Sequence, residues 1–259
     1  MSELTLAEPL RDPPGSAVAP PTAQRWGFWA TGAWGLAAAV AFLIAQTVAT
    51  IVVVSRLGLD PTSPGVVKAL GSDAIVVSAT TLAGVPAILL VIALAVRLAR
   101  VPFAEYLALK PVGVKVLLVA LASAVAYGLV TGVAGHLAGV KTPPFTLELY
   151  RTARESGTVP LILLAVGVGA PLNEEFLFRG FLLRGWANSR LGAVGAIVLT
   201  SAIWAAIHIQ YDWIFVGEIF GLGLLLGYLR LRTGSLLAPL LIHGLWGIAA
   251  VLIVGLFYS

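Results

Sequence analysis

The chain has 259 residues, of which 59% are hydrophobic and 11% charged, against roughly 45–50% apolar and about 25% charged residues in soluble domains. With a mean hydropathy of +0.98, this composition calls for a bilayer. The absence of cysteine excludes a disulfide framework, a thiolate metal site and a cysteine protease. The net charge of +4 is scattered over short loops with no basic patch, so no nucleic-acid partner is expected.

Residues 1–25 combine prolines and small residues without an apolar period, which predicts a disordered tail ahead of an integral membrane domain, 26–259. A transmembrane helix needs about 20 mostly apolar residues. That window predicts seven spans, near 28–54, 74–96, 116–138, 159–183, 192–211, 214–229 and 234–257. The first is expected to be retained, because a long polar leader precedes it and it is too long for the core of a signal peptide.

If the N-terminus is cytoplasmic, eleven of the 16 Lys and Arg residues fall on the inner side and five on the outer. An inner excess is the usual orientation signal, so the sequence predicts a cell-membrane protein with its N-terminus inside and its C-terminus outside. The expected fold is an all-α polytopic bundle in contact with membrane lipid.

The first three predicted spans are nearly free of ionisable residues and read as scaffold, with Gly128 and Gly132 spaced for close helix contact. The segment 139–158 carries Pro143 and Pro144, then Leu147, Leu149 and Tyr150 among charges. This pattern favours a short interfacial helix over a span, serving as a linker or as a gate to the outer side.

Polar residues enter the apolar stretches from 159 onward, where an ionised side chain at mid-membrane costs at least about 2.5 kcal/mol. APLNEEFLFRG sets Glu174 beside Glu175, with Arg179 four residues after Glu175 and so on its helical face. Glu175 and Arg179 are expected to pair, leaving Glu174 free for a second role. The predicted fifth span ends WAAIH, with Trp204 and His208, and the seventh contains LLIHGLWG with His243. A carboxylate beside an imidazole can hold and deprotonate water while a second imidazole stabilises an oxyanion, the minimum parts for peptide hydrolysis.

The EExxxR element (Glu174, Glu175, Arg179), the aromatic-xxx-His element (Trp204, His208) and the segment GLGLLLGYLRLRTGSLLAPLLIHG ending near His243 resemble the CAAX protease and bacteriocin-processing family of intramembrane glutamic endopeptidases. The resemblance covers about 159–257, on spans four, five and seven. It implies that the residue matching Glu174 activates water with help from that matching His208, that His243 stabilises the oxyanion, and that Glu175 and Arg179 support the site. It also implies a peptide or protein substrate and metal-free chemistry. Trp204 stands where the family usually has phenylalanine, and Gly247 where it commonly has Asn or Asp.

Three other readings are open to the same residues. Glu174, His208 and His243 make a His₂Glu ligand set of the kind that holds catalytic zinc. The same fold without catalysis would bind or protect a partner, which Gly247 favours. An intramembrane carboxylate also suits a proton-coupled transporter, although no inverted repeat is visible. Glu218, near Asp212 and Gln210, and His136 are expected at the interface, and Gly217, Gly221, Gly223 and Gly227 are expected to pack the sixth span.

Overall fold

In the computed structural model the described residues are 26–58, 60 and 70–257, so the expected tail, 1–25, lies outside them. Among the described residues the secondary structure is helical throughout, without strands. The helices are α1 (Phe28–Leu57), α2 (Ala74–Leu98), α3 (Phe103–Tyr106), α4 (Val114–Leu137) and α5 (Pro144–Glu155), followed by α6 (Val159–Ala187), α7 (Gly192–Ala206), α8 (Trp213–Thr233) and α9 (Leu237–Phe257).

Six of these, α1, α2, α4, α6, α8 and α9, are long and apolar enough to cross a membrane. Their ends follow local chemistry. Asp73 and Asp212 cap α2 and α8, each carboxylate accepting from two backbone N–H groups of the first turn. Gly58 and Gly234 close α1 and α8 in the left-handed conformation, with φ of 64° and 62°.

The predicted fifth span is the shorter helix α7. Its 15 residues reach about 22 Å, less than the roughly 30 Å of a hydrocarbon core. His208 lies beyond its last residue, Ala206, so it sits in the α7–α8 connection and not within a span. Apolar character continues to Ile209, which is why hydropathy alone extended the span too far.

Half of the most apolar window of α6 is buried, against 11% for α1 and α4, so α6 is the central helix and the latter two present their Leu, Ile and Val outward. Such exposed apolar faces suit lipid contact. The backbone of α6 widens to π-type turns at Ala165–Gly169 and Phe176–Leu182, on either side of the two glutamates. Pro171 removes the N–H that would bond the Gly167 carbonyl, and π-turns inside α-helices occur frequently at functional sites.

Small residues set the closest helix contacts. A Cβ on Gly247 would come 2.6 Å from the Val166 carbonyl oxygen, so α9 lies backbone to backbone on the first π-turn of α6. Gly223 faces Ser201 and Trp204, and Gly227 faces Ile197, which seats α8 on α7 as the glycine spacing predicts. Gly221 receives Tyr127 of α4, whereas Gly217 faces open space. The Gly128 and Gly132 pair divides similarly: Gly128 receives the Trp246 ring and Gly132 contacts nothing.

The amphipathic segment forms α5, as expected. It buries Leu149 and Ala153 against Ala74, Ile162 and Val251 and exposes Glu148, Arg151 and Glu155, which pair along its outer face. The hydrogen bond from Arg151 holds the Glu148 carboxyl below its ordinary value.

Candidate active site

Glu174 and Glu175 leave α6 in different directions, as adjacent helical residues must, and meet different environments. Glu175 is fully buried. Its Oε1 accepts from Arg179 Nη1 at 2.8 Å and lies 3.0 Å from His243 Nδ1. Arg179, equally buried, also donates through Nη2 to the Gly223 carbonyl at 3.3 Å, and its guanidinium lies over the Trp204 ring, 4.3 Å from the centroid. Side chains from α6, α7 and α9 and a carbonyl of α8 are thus tied into one buried network. Removing one member of a buried ion pair typically costs about 3–5 kcal/mol.

An ionised Glu175 only accepts hydrogen bonds, so the proton of a neutral His243 belongs on Nδ1. That leaves Nε2 facing Glu174, 3.8 Å from its Oε2. Glu174 differs from its neighbour in access, with a side chain 22% exposed where that of Glu175 is not exposed at all. The indole Nε1 of Trp204 donates to Glu174 Oε2. Glu174, Glu175, Arg179 and His243 therefore converge as the sequence predicts.

His208 is brought only to the margin of this group. Its Nδ1 lies 2.7 Å from the Trp204 carbonyl oxygen, and its ring meets the Trp204 ring edge-on at 5.3 Å. Trp204 contacts both it and Glu174. The reason is helical register: Glu174 lies thirteen residues before the end of α6 and Trp204 twelve after the start of α7, so the two are level across this antiparallel pair. His208 lies four residues further along, about 6 Å beyond that level.

Two residues of this site escape the sequence reading. Trp204 serves there only as the aromatic of a motif, yet its ring contacts Arg179, His208 and His243, and its N–H contacts Glu174. The signal was an indole four residues before a histidine, in a span where a buried Trp N–H requires an acceptor. Tyr211 stacks on His208, with ring centroids 6.3 Å apart, and receives Phe145 of α5 edge-on at 5.6 Å. Burial raises the Tyr211 phenol above its ordinary value, the Thr146 hydrogen bond opposes this, and the Glu174 charge adds to it. It therefore remains a neutral hydroxyl at ordinary pH. No pattern in the sequence singles it out.

Glu218 is part of a separate contact. Its Oε1 accepts from Thr131 at 2.8 Å and its carbonyl accepts from Tyr127 at 2.6 Å, fastening α8 to α4. His136 lies exposed in the last turn of α4. Among the described residues no group of three or more His, Asp or Glu is arranged to hold a metal ion. Glu174, His208 and His243 do not close into the tetrahedral set that zinc would require.

The fold and the polar network define a class, that of polytopic helical membrane proteins with a carboxylate, imidazole and indole cluster buried between their helices. Comparison with known proteins narrows it. Residues 156–249 match the family described as type II CAAX prenyl endopeptidase Rce1-like. The chain is 35% identical over 112 residues to an uncharacterized 24.3 kDa protein of Escherichia coli; the match takes in 42% of this chain and spans about half, 51%, of that relative. No solved structure matches. All of the clustered residues, from Glu174 to His243, fall inside the matched segment.

Proposed function

We propose that the chain is an intramembrane endopeptidase that hydrolyses a peptide bond of a membrane-anchored or leader-type substrate with water activated by Glu174. The observation that carries this reading is the separation of the two carboxylates: Glu175 is buried and paired with Arg179, while Glu174 is accessible and faces His243 Nε2. In this mechanism a water held between Glu174 and His243 Nε2 gives its proton to Glu174 as its oxygen attacks the carbonyl carbon. The C–N bond then breaks, and the proton passes from Glu174 to the leaving amine. His243, held by Glu175, accepts from the water through Nε2 and orients it, and the neutral Tyr211 hydroxyl is the donor available to the developing oxyanion. His208 acts through Trp204 or on substrate at the outer margin. No covalent enzyme intermediate is formed, and no resident cofactor is assigned.

The non-catalytic alternative, a membrane protein that binds or protects a partner, rests on Gly247. Its position supports another account: the close approach of α9 to the Val166 carbonyl leaves no room for a larger residue. The test is cleavage of a panel of membrane-anchored and leader peptides by the purified protein, with and without a chelator. Cleavage that survives the chelator supports the metal-free reaction, chelator-sensitive cleavage would transfer the site to zinc, and binding without cleavage would favour the partner-binding reading.

A further inference from the structure

Arg230, near the end of α8, is buried, with 8% of its surface exposed, and its Nε has no hydrogen-bond partner. Among the described residues no carboxylate lies within salt-bridge distance of it. The charged group that acts on it is another cation, Arg184 in the last turns of α6. Leaving a guanidinium buried without an anion costs several kcal/mol, so this pair of like charges needs an explanation that packing does not give.

Arg184 has a structural role in part. Its Nη1 donates to the carbonyls of Glu105 and Tyr106, at 2.9 and 2.6 Å, and its guanidinium lies 4.4 Å from the centroid of the Tyr106 ring. Its Nη2 is nonetheless buried and without a partner. Glu105 is near enough for its charge to act on Arg184, but forms no salt bridge with it. The walls are fixed: Leu236 N donates to the Ala108 carbonyl at 2.9 Å and Ser235 Oγ to that of Lys110 at 2.5 Å, which locks the α3–α4 connection over the α8–α9 turn.

We propose that Arg184 and Arg230 form a phosphate-binding site at this end of the bundle, filled by the phosphate of an anionic phospholipid. Two guanidiniums with free N–H donors match the several acceptor oxygens and negative charge of a phosphate, and the ends of two apolar helices place them at headgroup level. The site stands apart from the glutamate cluster and does not depend on the peptidase reading.

The test uses the full-length protein in phosphatidylcholine nanodiscs, titrated separately with phosphatidylglycerol and inorganic phosphate, with retained lipid counted by native mass spectrometry. Wild type is expected to hold one phosphatidylglycerol, and Arg230→Gln to bind it about tenfold or more weakly, the effect of losing charged hydrogen bonds. Arg230→Lys, which keeps the charge and loses the fork, should bind phosphatidylglycerol more weakly than wild type, and carries the test if the Gln variant does not fold. Arg97→Gln, at an exposed arginine, should behave as wild type. Binding of inorganic phosphate without lipid selectivity would keep the site and overturn its lipid occupant. Equal phosphatidylglycerol and phosphate binding by wild type and the Arg230 variants would overturn the proposal.

Discussion

Replacing Trp204 with Phe retains an aromatic ring beneath Arg179 but removes the N–H that fixes one Glu174 oxygen. A hydrogen bond to a charged group is worth about 1.5–3 kcal/mol. Trp204→Phe should therefore lower kcat about tenfold or more with little change in KM and no large loss of thermal stability; an unchanged kcat would show that the indole does not position the base. The ion pair of Glu175 and Arg179 was legible because helical spacing dictates it. The link between Trp204 and Glu174 was not, since it joins two helices and depends on their relative depth.

At the scale of the elements, hydropathy located the helices well because lipid-facing surfaces of α1 and α4 are apolar almost without interruption. It failed at α7, where apolar residues run past the helix end, and it carried no sign of the π-turns in α6. Gly247 illustrates how a motif departure changes meaning once packing is known. Gly247→Asn, which restores the residue type common in the family, should destabilise the protein by about 1–3 kcal/mol as an overpacked contact between α9 and α6, read as a lower unfolding midpoint in detergent. A gain in stability would contradict the contact. The α5 helix gives a further test, since the chain has no native cysteine and Phe145 rests on Tyr211 beside the cluster. Linking Tyr150→Cys of α5 to Gly255→Cys of α9, which face each other, with a short reducible bis-thiol crosslinker should block cleavage if α5 gates the site, and reduction should restore it. Cleavage undiminished by the link would make α5 a connector alone.

Over the whole molecule, composition sufficed for the bilayer and the helical class, because 11% charge cannot clothe a soluble surface of this size. Orientation rests on the distribution of Lys and Arg. If α7 crosses with the six longer helices, the two ends of the domain lie on opposite sides of the membrane. A reporter active only outside the cytoplasm should then work when fused after Phe257 and fail when fused ahead of Trp26; activity at both ends would contradict the arrangement. The account as a whole depends on two neighbouring carboxylates having separate tasks, and parallel measurement of cleavage and thermal stability in Glu174→Gln and Glu175→Gln tests this most directly. A glutamine at 174 still accepts from the Trp204 N–H but cannot take a proton from water, so that variant should remain as stable as wild type and cleave nothing. A glutamine at 175 leaves Arg179 as an unpaired buried charge and should lower stability by about 3–5 kcal/mol. Cleavage retained by Glu174→Gln would contradict the account.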